Sequence, residues 1–271
     1  LPPVLQRHLT PDQIQYKSFY NKNKITMSKK IALITGANKG IGFETARQLG
    51  KEGVTIIAAA RNKEKGTKAV EDLKAEGIDI EFLQLDVDNN ADIRFAYDYI
   101  NNKYGKLDIL VNNAGIQVES KEWAINNTDT ISDEALRQTL DTNFFNVVKL
   151  TNTLLPLIKK SDAGRIVNLS SILGSLTLHS DHNSPIYSSK LFAYDTSKTA
   201  LNSYTIHLAA ALADTNIKVN SAHPGWVKTD MGSDAAPMEI ADGAKTSVAL
   251  SLLDTNGPSG KYIHLGNELP W

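Results

Sequence analysis

Tyr194-Asp-Thr-Ser-Lys198 sets a phenol and an ammonium four residues apart at the start of a segment with an apolar stripe. On a helix that spacing puts both side chains on one face. An unperturbed phenol titrates near pH ~10. A neighbouring ammonium favours the phenolate and eases proton exchange with a reacting group. Upstream, Ser170-Ser171 closes a predicted strand, and a serine hydroxyl there can hold an oxygen beside the phenol. Tyr187-Ser-Ser-Lys190 offers a second phenol and ammonium, but three residues apart and in a predicted loop, so it is set aside.

A different chemistry is written near the beginning. Thr35-Gly-Ala-Asn-Lys-Gly-Ile-Gly42 follows an apolar strand and opens a helix. Glycines there let the backbone turn sharply and approach a pyrophosphate, which the free N–H groups of the helix N-terminus attract. The alternative is a plain tight turn. A dinucleotide site usually presents an acid to the ribose 2′-hydroxyl about 20 residues further on. Here that place reads Ala59-Ala60-Arg61. Arg61 can instead grip a 2′-phosphate with paired hydrogen bonds, and Lys39 can add a second positive charge. Otherwise both are solvated surface cations. Asp86-Val87 ends the third strand, where a carboxylate can reach an adenine amino group. Asn112-Asn113-Ala114-Gly115 ends the fourth, with small residues that allow a ligand close to the backbone.

The elements that must position these groups alternate. Strands are expected at Ile31–Thr35, Val54–Ala58, Ile80–Gln84, Leu107–Val111, Gly164–Leu169, Ile217–Ser221 and Lys261–His264. Helices are expected at Ile41–Lys51, Asn62–Glu76, Ala91–Tyr104, Asp133–Ile158, Thr196–Ala213 and Ile240–Leu253. Strands apolar throughout, each followed by a helix, imply a parallel sheet covered on both faces. Right-handed crossovers make it doubly wound, a Rossmann-type α/β fold whose ligand lies beyond the carboxyl ends of the strands. Every motif above falls at such an end.

Bulk composition fits one large domain over residues 29–271. The chain has 271 residues, 41% hydrophobic and 22% charged, close to a globular average. A net charge of -1 gives no electrostatic case for nucleic acid. The absence of cysteine excludes disulfides and thiolate chemistry, and is compatible with a cytoplasmic location. No apolar stretch approaches the roughly 20 residues that span a bilayer. Residues 1–28 show no core pattern and are expected to form a disordered or loosely docked extension. Met27 could be an internal start, and a transit peptide is the competing reading for that segment.

Taken together and in order, Thr35-Gly-x-x-x-Gly-x-Gly42, Asn112-Asn-Ala-Gly115, Ser171, Tyr194-x-x-x-Lys198 and Pro224-Gly225 resemble the classical short-chain dehydrogenase/reductase family. The resemblance covers about Lys30 to Trp271. It implies a parallel sheet of about seven strands. It implies that Tyr194 is the acid/base and that Lys198 binds the nicotinamide ribose and tunes the tyrosine. Ser171, second of its pair, would position the carbonyl, and Asn143 in Asp141-Thr-Asn-Phe144 would support the lysine through water. Asn38-Lys39-Gly40, Ala60-Arg61 and Pro224-Gly-Trp-Val-Lys-Thr-Asp-Met231 look like the NADPH-dependent carbonyl reductases of that family. The NADPH/NADP+ site would then draw on Gly36, Asn38, Lys39, Gly40, Ile41, Gly42, Arg61, Asp86, Val87, Asn113, Ala114 and Gly115. Tyr194, Lys198, Pro224, Gly225, the backbone of Val227 and the hydroxyl of Thr229 would complete it.

One feature departs from the family pattern. The interval from Ser171 to Tyr194 is longer than usual, and its extra residues, around Thr177 to Lys190, include His179, Asp181 and His182. They form either an exposed loop or a wall over the substrate pocket. Two histidines without further ligands make a poor metal site, so no metal is expected. The insertion leaves monomer or homo-oligomer undecided. His223 beside Pro224 is read as structural. Three functions fit: reduction of an aldehyde or ketone, oxidation of a secondary alcohol by the same site, and NADP(H) sensing without turnover. The expected partner is a small-molecule carbonyl or alcohol. Its pocket would be lined by the insertion, Gln117–Asp129 and Met231–Met238.

Overall fold

In the computed structural model, β1 (Ile31–Thr35) and β2 (Thr55–Ala60) are buried at every position, as strands covered on both faces must be. The structure describes residues 29–119 and 128–271. The expected extension, residues 1–28, and residues 120–127 of the Gln117–Asp129 stretch lie outside them.

Seven strands run parallel, adding β3 (Ile80–Gln84), β4 (Ile109–Asn112), β5 (Arg165–Leu169), β6 (Lys218–Ala222) and β7 (Lys261–His264). A two-residue β8 (Asn267–Glu268), not anticipated from the sequence, folds back antiparallel on β7. The order is β3-β2-β1-β4-β5-β6-β7-β8. From β1 the chain builds outward in one direction through β2 and β3, then returns to place β4 on the other side. The crevice between the ends of β1 and β4 is therefore the topological switch point, where such sheets bind ligands.

Successive residues of a strand point to opposite faces, and β1 shows what covers each. Leu33 joins a core with Ile93 and Ile100 of α3 (Asn90–Tyr104), Leu150 and Leu154 of α5 (Asn146–Ile158), and Leu208 of α7 (Phe192–Ala211). Ile34, next in sequence, joins the opposite core with Leu49 of α1 (Gly40–Lys51), Leu73 of α2 (Lys63–Ala75) and Leu250 of α8 (Ile240–Ser251).

Three differences from the expected elements bear on the site. The predicted Asp133–Ile158 helix is α4 (Asp133–Leu140) and α5 joined by a π-helical turn, Asp141–Phe145, which carries Asn143. Such single wide turns recur at functional sites. Helix α7 begins at Phe192 rather than Thr196, so Tyr194 lies inside its first turn. The insertion contains a short helix, α6 (Leu176–Ser180), and is anchored rather than free. Thr177 N donates to the Trp271 carbonyl at 2.9 Å, and Ser175 Oγ to that of Pro270 at 2.8 Å. Asp181 to Asn183 remain exposed.

Candidate active site

The first turn of α7 delivers Tyr194, and Lys198 follows one turn later on the same face, its Nζ 5.5 Å from the Tyr194 ring centre. The last carbonyl of β5 fixes the lysine: Nζ donates to Leu169 O at 2.8 Å. Ser171 lies beyond that strand end, half-exposed, whereas Ser170 is only 2% exposed, so Ser171 is the serine that faces the cleft. Its hydroxyl hydrogen-bonds with Tyr194 and also accepts from Leu173 N at 3.3 Å.

Burial dominates the protonation of this group. It pushes the Tyr194 phenol up to about 12, with Asp195 adding to the rise and the Ser171 hydrogen bond opposing it. It lowers the Lys198 ammonium to about 8. The sequence reading expected Lys198 to draw the phenol down. In this desolvated setting the cost of burying any charge outweighs that attraction, and both side chains are held towards their neutral forms.

Asn143 faces the same space. Its Nδ2 donates to Ile116 O at 2.8 Å and to Ser197 Oγ at 3.0 Å, and its Oδ1 accepts from Ile116 N at 2.8 Å. The π-helical turn thus ties the loop after β4 to α7. Gly115 sits between the two polar groups: a Cβ added there would lie 3.3 Å from Asn143 Oδ1 and 3.5 Å from Lys198 Nζ.

The glycine loop expected to cradle the dinucleotide stands next to this cluster. Gly36 and Gly40 hold φ values of +66° and +58°, and a Cβ at Gly42 would lie 2.5 Å from the Gly36 carbonyl. Gly36 and Gly42 leave no room for a side chain, and the backbone N–H groups at the uncapped start of α1 suit an anionic ligand. Asn113 is spent within the protein: Nδ2 donates to Thr35 O at 2.8 Å and Gly36 O at 3.3 Å, locking the loops after β1 and β4 together. Thr35 Oγ1 accepts from both Asn113 N and Ala114 N at 3.0 Å. Asn38 and Ile41 are half-buried in the glycine loop, and Arg61 is exposed at the end of β2. Lys39 is also exposed but pairs with Asp230, a partner the sequence did not suggest. Asp86 is half-buried and Val87 buried beyond β3.

The opposite wall begins after β6. Pro224 leads into Gly225, whose φ of +93° and close neighbour Met238, 2.1 Å from an added Cβ, admit only glycine. Val227 is buried, and Thr229 accepts from Gly232 N at 3.1 Å. The methyl of Thr229 would lie 3.5 Å from a Cβ on Gly40, so the two walls face each other across the cradle. His223 Nδ1 accepts from Ile172 N at 3.1 Å, and burial pushes this ring down to about 3. It stays neutral and fixes the turn after Ser171.

Both ring nitrogens of His179 are engaged, Nε2 with Leu173 O at 2.9 Å and Nδ1 with Lys190 Nζ at 3.0 Å. His182 packs against Tyr187, with ring centres 4.3 Å apart, so the set-aside tyrosine belongs to the insertion. Two residues escaped the sequence reading. Glu119 contacts the Tyr194 backbone from the β4 loop, and no local pattern announces it. Asp88 accepts from Thr142 Oγ1 at 3.0 Å and Asn146 Nδ2 at 2.8 Å, bracing the turn that carries Asn143.

The short chain dehydrogenase family model matches residues 30–240. Carbonyl reductase [NADPH] 1 of Mus musculus is 34% identical over 285 residues, covering 91% of this chain and 100% of that protein. Short-chain dehydrogenase/reductase 1 of Saponaria officinalis is 34% identical over 296 residues, covering 90% and 96%. Among solved structures, carbonyl reductase Sniffer of D. melanogaster superposes with a TM-score of 0.76 at 30% identity, covering 90% of this chain and 99% of that one. With its glycine cradle at the switch point and Ser171, Tyr194 and Lys198 gathered beside it, the chain belongs to the short-chain dehydrogenase family.

Proposed function

We propose that this protein is an NADPH-dependent reductase of aldehydes or ketones. The observation that carries the reading is the Ser171–Tyr194–Lys198 cluster at the end of β5, beside the glycine loop of residues 36–42. Bound NADPH supplies the hydride that the carbonyl carbon receives. The chain's own residues do the rest. Ser171 Oγ holds the carbonyl oxygen beside Tyr194, and Tyr194 Oη gives that oxygen its proton as negative charge develops there. Lys198, fastened to Leu169 O, keeps a positive charge beside the phenol as it turns into phenolate, which then regains a proton from solvent. Arg61 meets the 2′-phosphate, where a carboxylate would repel it. Lys39 can swing to the same phosphate from Asp230, because an ion pair this exposed contributes only about 0–1 kcal/mol.

At neutral pH the buried Tyr194 phenol is protonated, so it begins as the proton donor that carbonyl reduction needs. Partners of this reading are small carbonyl compounds. Among the described residues no helix is long and apolar enough to cross a membrane. The test is NADPH absorbance followed against a panel of aldehydes and ketones. Consumption that depends on the carbonyl supports the proposal. Tight NADPH binding with no turnover across the panel would favour the sensor.

A further inference from the structure

Helix α7 carries Tyr194 in its first turn, yet the residue at its N-cap, Leu191, has no side chain that can accept from the free N–H groups there. The acceptor comes from a distant part of the chain. Glu119, in the loop after β4, turns its carboxylate onto the helix end. Oε1 accepts from Ala193 N at 2.7 Å, and Oε2 from Tyr194 N at 3.0 Å. The residue is only 7% exposed. A buried carboxylate is costly unless hydrogen-bonded, and here two N–H groups and the positive end of a long helix offset that cost. Asp195 closes the same turn locally, its Oδ2 accepting from Leu191 N at 3.0 Å.

We propose that Glu119 is a positioning residue for Tyr194, holding the first turn of α7 where the phenol meets Ser171. This rests on the reading of Tyr194 as the proton donor. An ordinary cap at position 191 would also accept from these N–H groups but would tie the helix to nothing. Glu119 instead binds the turn to the loop that follows Gly115. Asn143 makes a second tie between the same two elements, joining Ile116 to Ser197. The backbone that bears the phenol is therefore clamped to the cofactor-side loop at residues 193 and 194 and again at 197. Small displacements of a reacting group can cost turnover heavily without loss of binding.

The test uses the full chain with Glu119→Gln, which keeps the shape but replaces one acceptor by an amide N–H₂ that cannot accept. Glu119→Ala and Tyr194→Phe are run beside it. Steady-state turnover of one active carbonyl, NADPH affinity by fluorescence titration and thermal unfolding are measured, with kinetics well below each melting temperature. The expected result for Glu119→Gln is a kcat lowered about tenfold or more, with NADPH affinity within about twofold of wild type. Unchanged kcat overturns the proposal whether or not the melting temperature falls, because Glu119 is then a structural cap only. Equal losses of kcat and NADPH affinity overturn it too, since the whole site has then shifted. If Glu119→Ala does not fold, the Gln variant decides alone. Full turnover in Tyr194→Phe would instead remove the catalytic reading on which the proposal stands.

Discussion

Lys198 Nζ donates to the Leu169 carbonyl at 2.8 Å, so the ammonium of helix α7 is held by the last residue of strand β5. The bond brings the lysine under the Tyr194 ring and joins the strand that leads to Ser171 with the helix that carries the phenol. It also keeps a buried cation in a place where burial lowers its pKa to about 8.

That strain on the charge predicts a trade between stability and activity. The folded pKa of Lys198 lies below its usual value of 10.5, so between about pH 8 and 10.5 the unfolded chain binds more protons than the native one, and stability rises with pH from this group. Lys198→Met should therefore raise the melting temperature at pH 7, with the gain shrinking as pH climbs through that window. The same substitution should lower turnover and weaken NADPH binding. Melting curves from pH 7 to 10 check the sign.

Asp195 predicts a pH dependence in the opposite direction. Burial, with Glu119 adding repulsion, pushes its carboxyl up to about 8 from a usual 3.8. Between those values the native state binds the extra proton, so this group makes stability fall as pH rises from about 4 to 8. Asp195→Asn should remove that slope and leave the protein more stable than wild type near pH 8. Equal slopes in the two proteins would show that the carboxyl ionises freely.

Cofactor choice should reside at the end of β2. Arg61→Ala should weaken NADPH binding about tenfold or more, as expected for the loss of charge-assisted hydrogen bonds, and change NADH binding little. Adding Ala60→Asp should turn the preference towards NADH, because the carboxylate repels the phosphate and accepts from the ribose hydroxyl. Titration of both cofactors measures the ratio. Equal affinity of the wild type for NADH and NADPH would contradict the assignment.

Most of this architecture was legible in the sequence because its signals are local. The apolar strands predicted a parallel sheet, and the glycines of 36 to 42, the Asn-Ala-Gly turn and the Tyr194–Lys198 spacing each belong to one short segment. What escaped depends on long-range packing. Glu119 acts on amides more than seventy residues away, and the Lys39–Asp230 pair spans the two walls of the cradle. The π-helical turn at Asn143 interrupts a pattern that reads as one continuous helix. The direction of the Tyr194 shift was missed for a related reason: the sequence displays the neighbouring ammonium but not the burial that outweighs it.

The central claim is that Tyr194 gives the proton. Tyr194→Phe keeps the ring and removes the hydroxyl, so the most direct measurement is its kcat beside that of wild type and Tyr187→Phe with one active carbonyl and saturating NADPH. The account predicts a fall of about 100-fold or more for Tyr194→Phe, the effect typical of losing a general acid, with NADPH binding retained and Tyr187→Phe close to wild type. Near-normal turnover in Tyr194→Phe, with the loss appearing in Tyr187→Phe, would contradict it.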